Sequence, residues 1–217
     1  MTTDPGYIHA LRFRFLNALY DPVVALTSRE ARFKAALLAG VAARPRQRVL
    51  DVGCGSGTLA CMFAQRSPQA ELHGLDGDAD MLDRGRRKAA QRGARIEFVH
   101  GMSFALPYPD GHFDHVVSSL FFHHLTRDAK QRTLGEIARV LKPGGGLHVA
   151  DWGAAQDPLM RAAFLLIQLT DGFETTRDNI RGRLPSMMTR AGFDDVRVDE
   201  RLRTLLGTMN ILRARKR

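Results

Sequence analysis

Three stretches of this 217-residue sequence carry residues whose types and spacing suit chemistry. Residues 49–60, VLDVGCGSGTLA, place Asp51 ahead of three glycines, Gly53, Gly55 and Gly57, with Cys54 between the first two. A chain gives up side chains at such spacing where its backbone must turn sharply or come close to a ligand. Residues 75–82, LDGDADML, put a second acid, Asp76, before Gly77, with Met81 a turn later. Residues 118–125, SSLFFHHL, end in two adjacent imidazoles, His123 and His124, side chains that exchange protons near neutral pH.

The glycine loop admits two ligand chemistries. A dinucleotide cradle needs G-x-G-x-x-G, and the position of its third glycine is held by Thr58, the glycine falling one residue early at Gly57. An acid followed by G-x-G-x-G instead offers a carboxylate and close backbone to a ligand with an ammonium group and no phosphate, such as S-adenosylmethionine (SAM). Taken singly, Asp51 is as readily a buried loop-capping acid, and Asp76 an ordinary turn residue before a glycine. Their shared place at the ends of neighbouring predicted strands favours ligand contact.

The elements that must position these residues alternate. Strands are predicted at 47–53, 70–76, 95–101, 113–120 and 145–152, with helices at about 57–67, 78–93 and 126–141. That rhythm predicts a mostly parallel sheet with helices on both faces, and ligands bind such sheets beyond the carboxyl ends of the strands. Residues 191–216 read as two consecutive strands, giving the parallel sheet an antiparallel edge. Residues 7–43 read as two amphipathic helices, and about 157–190 as a helical insertion before the last two strands. The domain reading is a helical cover at 1–43 and a ligand-binding domain at 44–217, the insertion serving as its lid.

In motif order, from about Tyr20 onward, the chain resembles a class I SAM-dependent methyltransferase, nearest to the small-molecule group that includes quinone-ring methylating enzymes. VLDVGCGSG, LDGDADML, GMSFALPYPDGHFDHVVSS (101–119) and IARVLKPGGGLHVADW (137–152) carry the resemblance. It implies a Rossmann-like, seven-stranded, mostly parallel sheet with an antiparallel terminal strand. It also implies that Asp51 and the glycine loop hold the methionine end, Asp76 the ribose hydroxyls, and Ser119 and Leu120 the ammonium through backbone carbonyls. Family members carry an acid for the adenine amino group where this chain has Met102. Met102 then lies against the adenine face, with the Ser103 hydroxyl or backbone groups at its edge. His123 aligns with an arginine of the quinone-methylating relatives, and Tyr20-Asp21 with a tyrosine-aspartate that covers the cofactor. His123, His124 and Tyr20 are the candidate catalytic residues, each with a packing role as its alternative. Trp152, Phe164 and Phe173 are candidates for an acceptor pocket or for plain core.

The 44% apolar, 25% charged composition is that of an ordinary water-exposed domain. No apolar run reaches the length of a membrane span and the first residues lack a secretory pattern, so the expected location is cytoplasmic. A net charge of +9 permits nucleic acid, acidic substrates or anionic membranes as partners, yet the basic residues are scattered rather than clustered. Cys54 and Cys61 read as buried free thiols, and His100, His112 and His115 show no convergent ligand spacing, so no metal is expected. The functional expectation is methyl transfer from SAM to an O, N, C or S atom of a small aromatic or apolar molecule. Alternatives are an RNA or protein methyltransferase, disfavoured by SSLF in place of an N-P-P-Y motif, and a SAM-binding sensor without catalysis. An NAD oxidoreductase is weakened by Thr58.

Overall fold

The computed structural model describes residues 30–217. Chain order runs α1 (Glu30–Ala39), β1 (Arg48–Val52), α2 (Thr58–Arg66), β2 (Glu71–Asp76), α3 (Ala79–Gln91), β3 (Glu97–His100), β4 (Phe113–Ser119), a 3₁₀ turn (Phe122–His124), α4 (Arg127–Val140) and β5 (Leu141–Trp152). Four short helices follow, α5 (Pro158–Ala163), α6 (Leu165–Asp171), α7 (Phe173–Ile180) and α8 (Leu184–Arg190), and then β6 (Phe193–Arg203) and β7 (Thr208–Lys216). The first predicted N-terminal helix lies outside the described residues.

The seven strands form one sheet in the order β3-β2-β1-β4-β5-β7-β6. All pairings among β1 to β5 are parallel, while β7 is antiparallel to both of its neighbours. The last two strands close as the predicted hairpin at one side of the sheet, and the chain-terminal strand β7 is its antiparallel member. β7 is interior, and the edge is β6, running the same way as β1 to β5. The physical reason lies in side-chain patterning. β7 is buried along most of its length, whereas β6 alternates exposed acids and arginines with a few buried residues, a pattern suited to an edge.

Apolar side chains cover both faces of the sheet. Leu50, Val52, Val116 and Val149 join α4 and α8 in one core, which Met187 and Met188 complete. Val49, Val117, Ala150 and Ile211 pack on the opposite face with Phe33 and Leu37 of α1, Leu59 and Phe63 of α2, Trp152 and Phe164. Adjacent residues of β1 thus serve opposite cores, the period-2 signature of a strand buried on both faces. The fifth strand begins four residues earlier than predicted, at Leu141. Its Pro143-Gly144-Gly145 segment is a register shift opposite Phe113–His115, made possible by Gly144 at φ +74°.

Strand order reverses between β1 and β4. From β1 the chain winds outward through β2 and β3, then returns to β4 on the other side of β1. The crossover connections diverge there and leave a crevice beyond the carboxyl ends of these two strands. Into it run the glycine loop after β1 and the histidine turn after β4.

Candidate active site

The glycine loop is built largely from backbone. Gly53 and Cys54 donate their N–H groups to the Leu75 carbonyl at 2.9 and 3.0 Å, and Gly57 donates to Cys54. Gly53, Gly55 and Gly57 all have positive φ, between +51° and +70°. Their reasons for lacking a side chain differ. A Cβ on Gly53 would lie 2.2 Å from the Phe121 ring, and one on Gly57 2.9 Å from Phe98. A Cβ on Gly55 would meet nothing within 4 Å among the described residues. Two of the three glycines thus make room for the protein's own aromatics, and Gly55 alone opens onto free space. Lys88 of α3 ties the loop down, donating to Ser56 Oγ at 2.9 Å and Thr58 Oγ1 at 2.7 Å.

Asp51 is 2% exposed, and among the described residues neither carboxylate oxygen meets a donor with full hydrogen-bond geometry. Burial raises its pKa to about 7; the Lys34 ammonium opposes the rise and Asp76 adds to it. Asp76 is held by backbone at the end of β2. Its Oδ2 accepts the Gly55 N–H at 2.8 Å and its Oδ1 accepts the Asp78 N–H at 2.9 Å. Burial also raises the Asp76 pKa, against those backbone hydrogen bonds. Gly77 presents its carbonyl to His100 Nε2 at 3.0 Å, and Met81 is buried in the first turn of α3.

Other predicted contacts are placed less directly. The Cys54 thiol points inward, so that a Cβ on Gly74 of β2 would sit 3.0 Å from its sulfur. Burial raises its pKa well above the ordinary thiol value, which makes it inert packing and leaves only its backbone for a ligand. Met102 is half-buried, whereas the Ser103 hydroxyl is buried and bonded to Thr133 Oγ1 at 2.8 Å. Ser119 closes β4, and Leu120 follows at φ +53°, an uncommon conformation for leucine. That residue turns the chain over the crevice, with its N–H on the Ala150 carbonyl at 2.8 Å. Tyr20 lies outside the described residues.

The two histidines enter a cluster that the sequence reading only half found. His123 is buried and its Nδ1 donates to Asp151 Oδ1 at 2.8 Å. Asp151, with no exposure, also accepts the N–H groups of Phe121, His123 and Trp152 at 3.2, 3.3 and 2.7 Å. Asn179 Nδ2 of α7 approaches the same carboxylate at 3.4 Å. Across the ring, His123 Nε2 lies 3.4 Å from Asp171 Oδ2 of α6. Burial alone would lower the His123 pKa, but Asp151 and then Asp171 outweigh it and hold the imidazole up at about 9. The adjacent ring of His124, centroid 4.0 Å away, is pushed down to about 4 by burial and the charge of His123. Lys130 of α4, wholly buried, donates to the Thr175 carbonyl, and burial lowers its pKa to about 8 against Asp151 and Asp178.

Asp151, Asp171 and Lys130 are the residues that sequence reasoning missed. Asp151 had a legible signal, an acid ending the fifth parallel strand in VADW. Lys130 reads as an ordinary residue of α4, and Asp171 reaches the turn after β4 only because the insertion packs there. Trp152 and Phe164 are core, 4% and 3% exposed and 5.5 Å apart between rings, while Phe173 is exposed.

Comparison with known proteins places this crevice in a family. A methyltransferase-domain model matches residues 49–145. The demethylmenaquinone methyltransferase of Thermus thermophilus is 40% identical over 121 residues, 56% of this chain and 52% of that protein. The ubiquinone/menaquinone biosynthesis C-methyltransferase of Dinoroseobacter shibae is 34% identical over 188 residues, covering 76% of this chain and 73% of the relative. This chain belongs to the quinone-type class I SAM methyltransferases. It spans about half the length of the Thermus relative. The fold agrees: a SAM-dependent methyltransferase from Aquifex aeolicus superposes with a TM-score of 0.67 at 19% identity, covering 93% of this chain and 96% of that one. The family's cofactor fits what the crevice offers, an orphaned carboxylate at Asp51, open space at Gly55 and a backbone-anchored acid at Asp76. Among the described residues, no helix is long and apolar enough to cross a membrane.

Proposed function

We propose that this chain transfers a methyl group from SAM to a carbon of a small quinone-type aromatic acceptor. The observation that carries the reading is the juxtaposition at one crevice of two different polar sets. Asp51, Gly55 and Asp76 stand on one side, at the carboxyl ends of β1 and β2 and in the loop between; His123 and His124 follow β4, beside Asp151 at the end of β5 and Asp171 at the end of α6. The first set suits a ligand with an ammonium and a ribose diol, the second an acceptor bearing a hydroxyl. The named activities of the quinone-type relatives support a ring carbon as the methylated atom.

SAM supplies, when bound, a methyl group already activated on a sulfonium. The protein's contribution is placement, which is worth as much as ~7–11 kcal/mol in favourable cases. Asp51 accepts the ammonium of the methionine end, and Asp76 keeps lone pairs for the ribose diol beside those already used by Gly55 and Asp78. The Gly55 backbone lets the ligand lie against the loop, Met102 covers the adenine face, and the carbonyls of Ser119 and Leu120 face the ammonium. Asp151 fixes the His123 ring through Nδ1, so that its far edge faces Asp171 and the crevice. Among the described residues the His124 ring has no hydrogen bond, so it is the proton acceptor for an acceptor hydroxyl. Loss of that proton would enrich the adjacent ring carbon, which would take the methyl as the S–CH3 bond breaks to leave a neutral thioether, and would then lose its own hydrogen as a proton to solvent. Helices α5 to α7 serve as the lid that excludes water.

The test is a calorimetric titration with S-adenosylhomocysteine, with NADH as control, followed by a methyl-transfer assay on a demethylated naphthoquinol. Micromolar binding of the first ligand alone, with a C-methylated product, is expected. Binding without transfer to any phenol, quinol, amine or thiol would reassign the chain as a SAM sensor. NADH binding would overturn the cofactor.

A further inference from the structure

The histidine cluster has a geometry that proton transfer does not require. One ring nitrogen from each of His123 and His124 and one carboxylate oxygen of Asp171 lie within 4.8 Å of one another. The 3.4 Å between His123 Nε2 and Asp171 Oδ2 is long for a charge-assisted hydrogen bond, which favours about 2.7–2.9 Å. It matches the separation of two ligands on a tetrahedral ion, about 3.3–3.4 Å for bonds of 2.0–2.1 Å. Behind the pair, Asp151 takes the other nitrogen of His123 at 2.8 Å, the carboxylate–histidine buttress that orients imidazoles toward metals. His124 and Asp171 are only partly buried, leaving a way in from the crevice. Two carboxylates, Asp151 and Asp171, border the cluster, and the Lys130 ammonium is turned away to the Thr175 carbonyl.

We propose that His123, His124 and Asp171 bind a divalent transition-metal ion of the zinc or cobalt class, leaving one coordination position open toward the crevice. Two imidazoles and a carboxylate are a donor set such ions accept, and three protein ligands with an open fourth position mark a catalytic rather than a structural site. Binding of the ion is independent of the methyl-transfer reading. Its purpose, taking an oxygen of the acceptor and stabilising it as the anion, rests on that reading, with the bound ion standing in place of the His124 ring as the group that favours loss of the hydroxyl proton.

The experiment titrates the full chain with Co²⁺, following visible d–d absorption, and with Zn²⁺ as a colourless competitor. S-adenosylhomocysteine binding is measured on the same preparations. One equivalent of Co²⁺ should give the bands of a four- or five-coordinate site, and Zn²⁺ should bleach them. Asp171→Asn and His124→Gln should each weaken binding by about a hundredfold, whereas His112→Gln, remote from the cluster, should not. Because Asp171 is partly exposed, its substitution keeps the test valid if the His124 variant does not fold. Absence of Co²⁺ bands, or bands that persist in Asp171→Asn, would overturn the metal site. Intact S-adenosylhomocysteine binding in that case would leave the methyltransferase reading standing.

Discussion

A buried carboxylate with too few hydrogen-bond donors among the described residues is costly, so Asp51 marks a place where the free protein sacrifices stability. Its folded pKa, about 7, lies above the usual carboxylate value of 3.8. Between those values the folded state holds more protons than the unfolded state, so this group's contribution to stability falls as pH rises from about 4 to 7. Asp51→Asn removes the penalty and should raise the melting temperature at pH 8, by an amount corresponding to a few kcal/mol at most. The same substitution should weaken S-adenosylhomocysteine binding by about tenfold or more. In the native chain, affinity should increase as pH rises from 6 to 8, since the ammonium favours the ionised carboxylate; the slope should vanish in the variant. A flat pH profile by calorimetry would remove Asp51 from the ammonium site. Asp151 is the opposite case, buried but fully bonded. Asp151→Ala strips the counter-charge from buried His123 and should lower unfolding free energy by about 3–5 kcal/mol in denaturant titration.

At the scale of elements, the glycine loop separates packing from ligand access. Gly53→Ala must displace the Phe121 ring and strain a positive φ, together about 2–5 kcal/mol. Gly55→Ala meets no atom and bears only the backbone strain, about 1–2 kcal/mol. We expect Gly53→Ala to be the less stable variant, partly restored by Phe121→Leu, and Gly55→Ala to remain folded with the larger loss of S-adenosylhomocysteine affinity per kcal/mol of stability. Equal effects at the two positions in paired melting and binding measurements would contradict this division. The segment after β3 invites a gain of function. The motif resemblance sets Met102 where an acid for adenine is expected, and Ser103 is committed to Thr133. Met102→Asp should tighten S-adenosylhomocysteine binding by up to about tenfold, one hydrogen bond to the adenine amino group being worth about 1 kcal/mol. Unchanged affinity would mean that the adenine edge is already satisfied.

For the whole molecule, the decisive feature is β7 lying inside the sheet. It bonds β5 along one side and β6 along the other, and Met209, Ile211 and Leu212 supply both cores. Removing residues 208–217 would leave β5 and β6 with unpaired edges and both cores open. That truncated chain should show no cooperative thermal transition. Had the last strand lain at the edge, the same deletion would give a weakened but folding domain. A sharp calorimetric peak from the truncated chain would show that the interior strand is dispensable.

The alternation of elements and the side-chain spacing were determined by the sequence alone. Local hydrophobic period and turn residues set strands at 48–52 and 71–76, and motif order at 49–60 and 75–82 put Asp51 and Asp76 at neighbouring strand ends. These are short-range properties, readable because a strand or helix is fixed largely by its own residues. The tertiary structure alone decided which strand is interior, that Gly53 and Gly57 yield to Phe121 and Phe98, and that the Cys54 thiol turns inward. It alone brought Asp151 and Asp171 to His123, across 28 and 48 residues of chain. Those facts depend on which surfaces meet once the insertion folds back over the sheet. No local pattern encodes that, because burial and electrostatic pairing are properties of the packed whole.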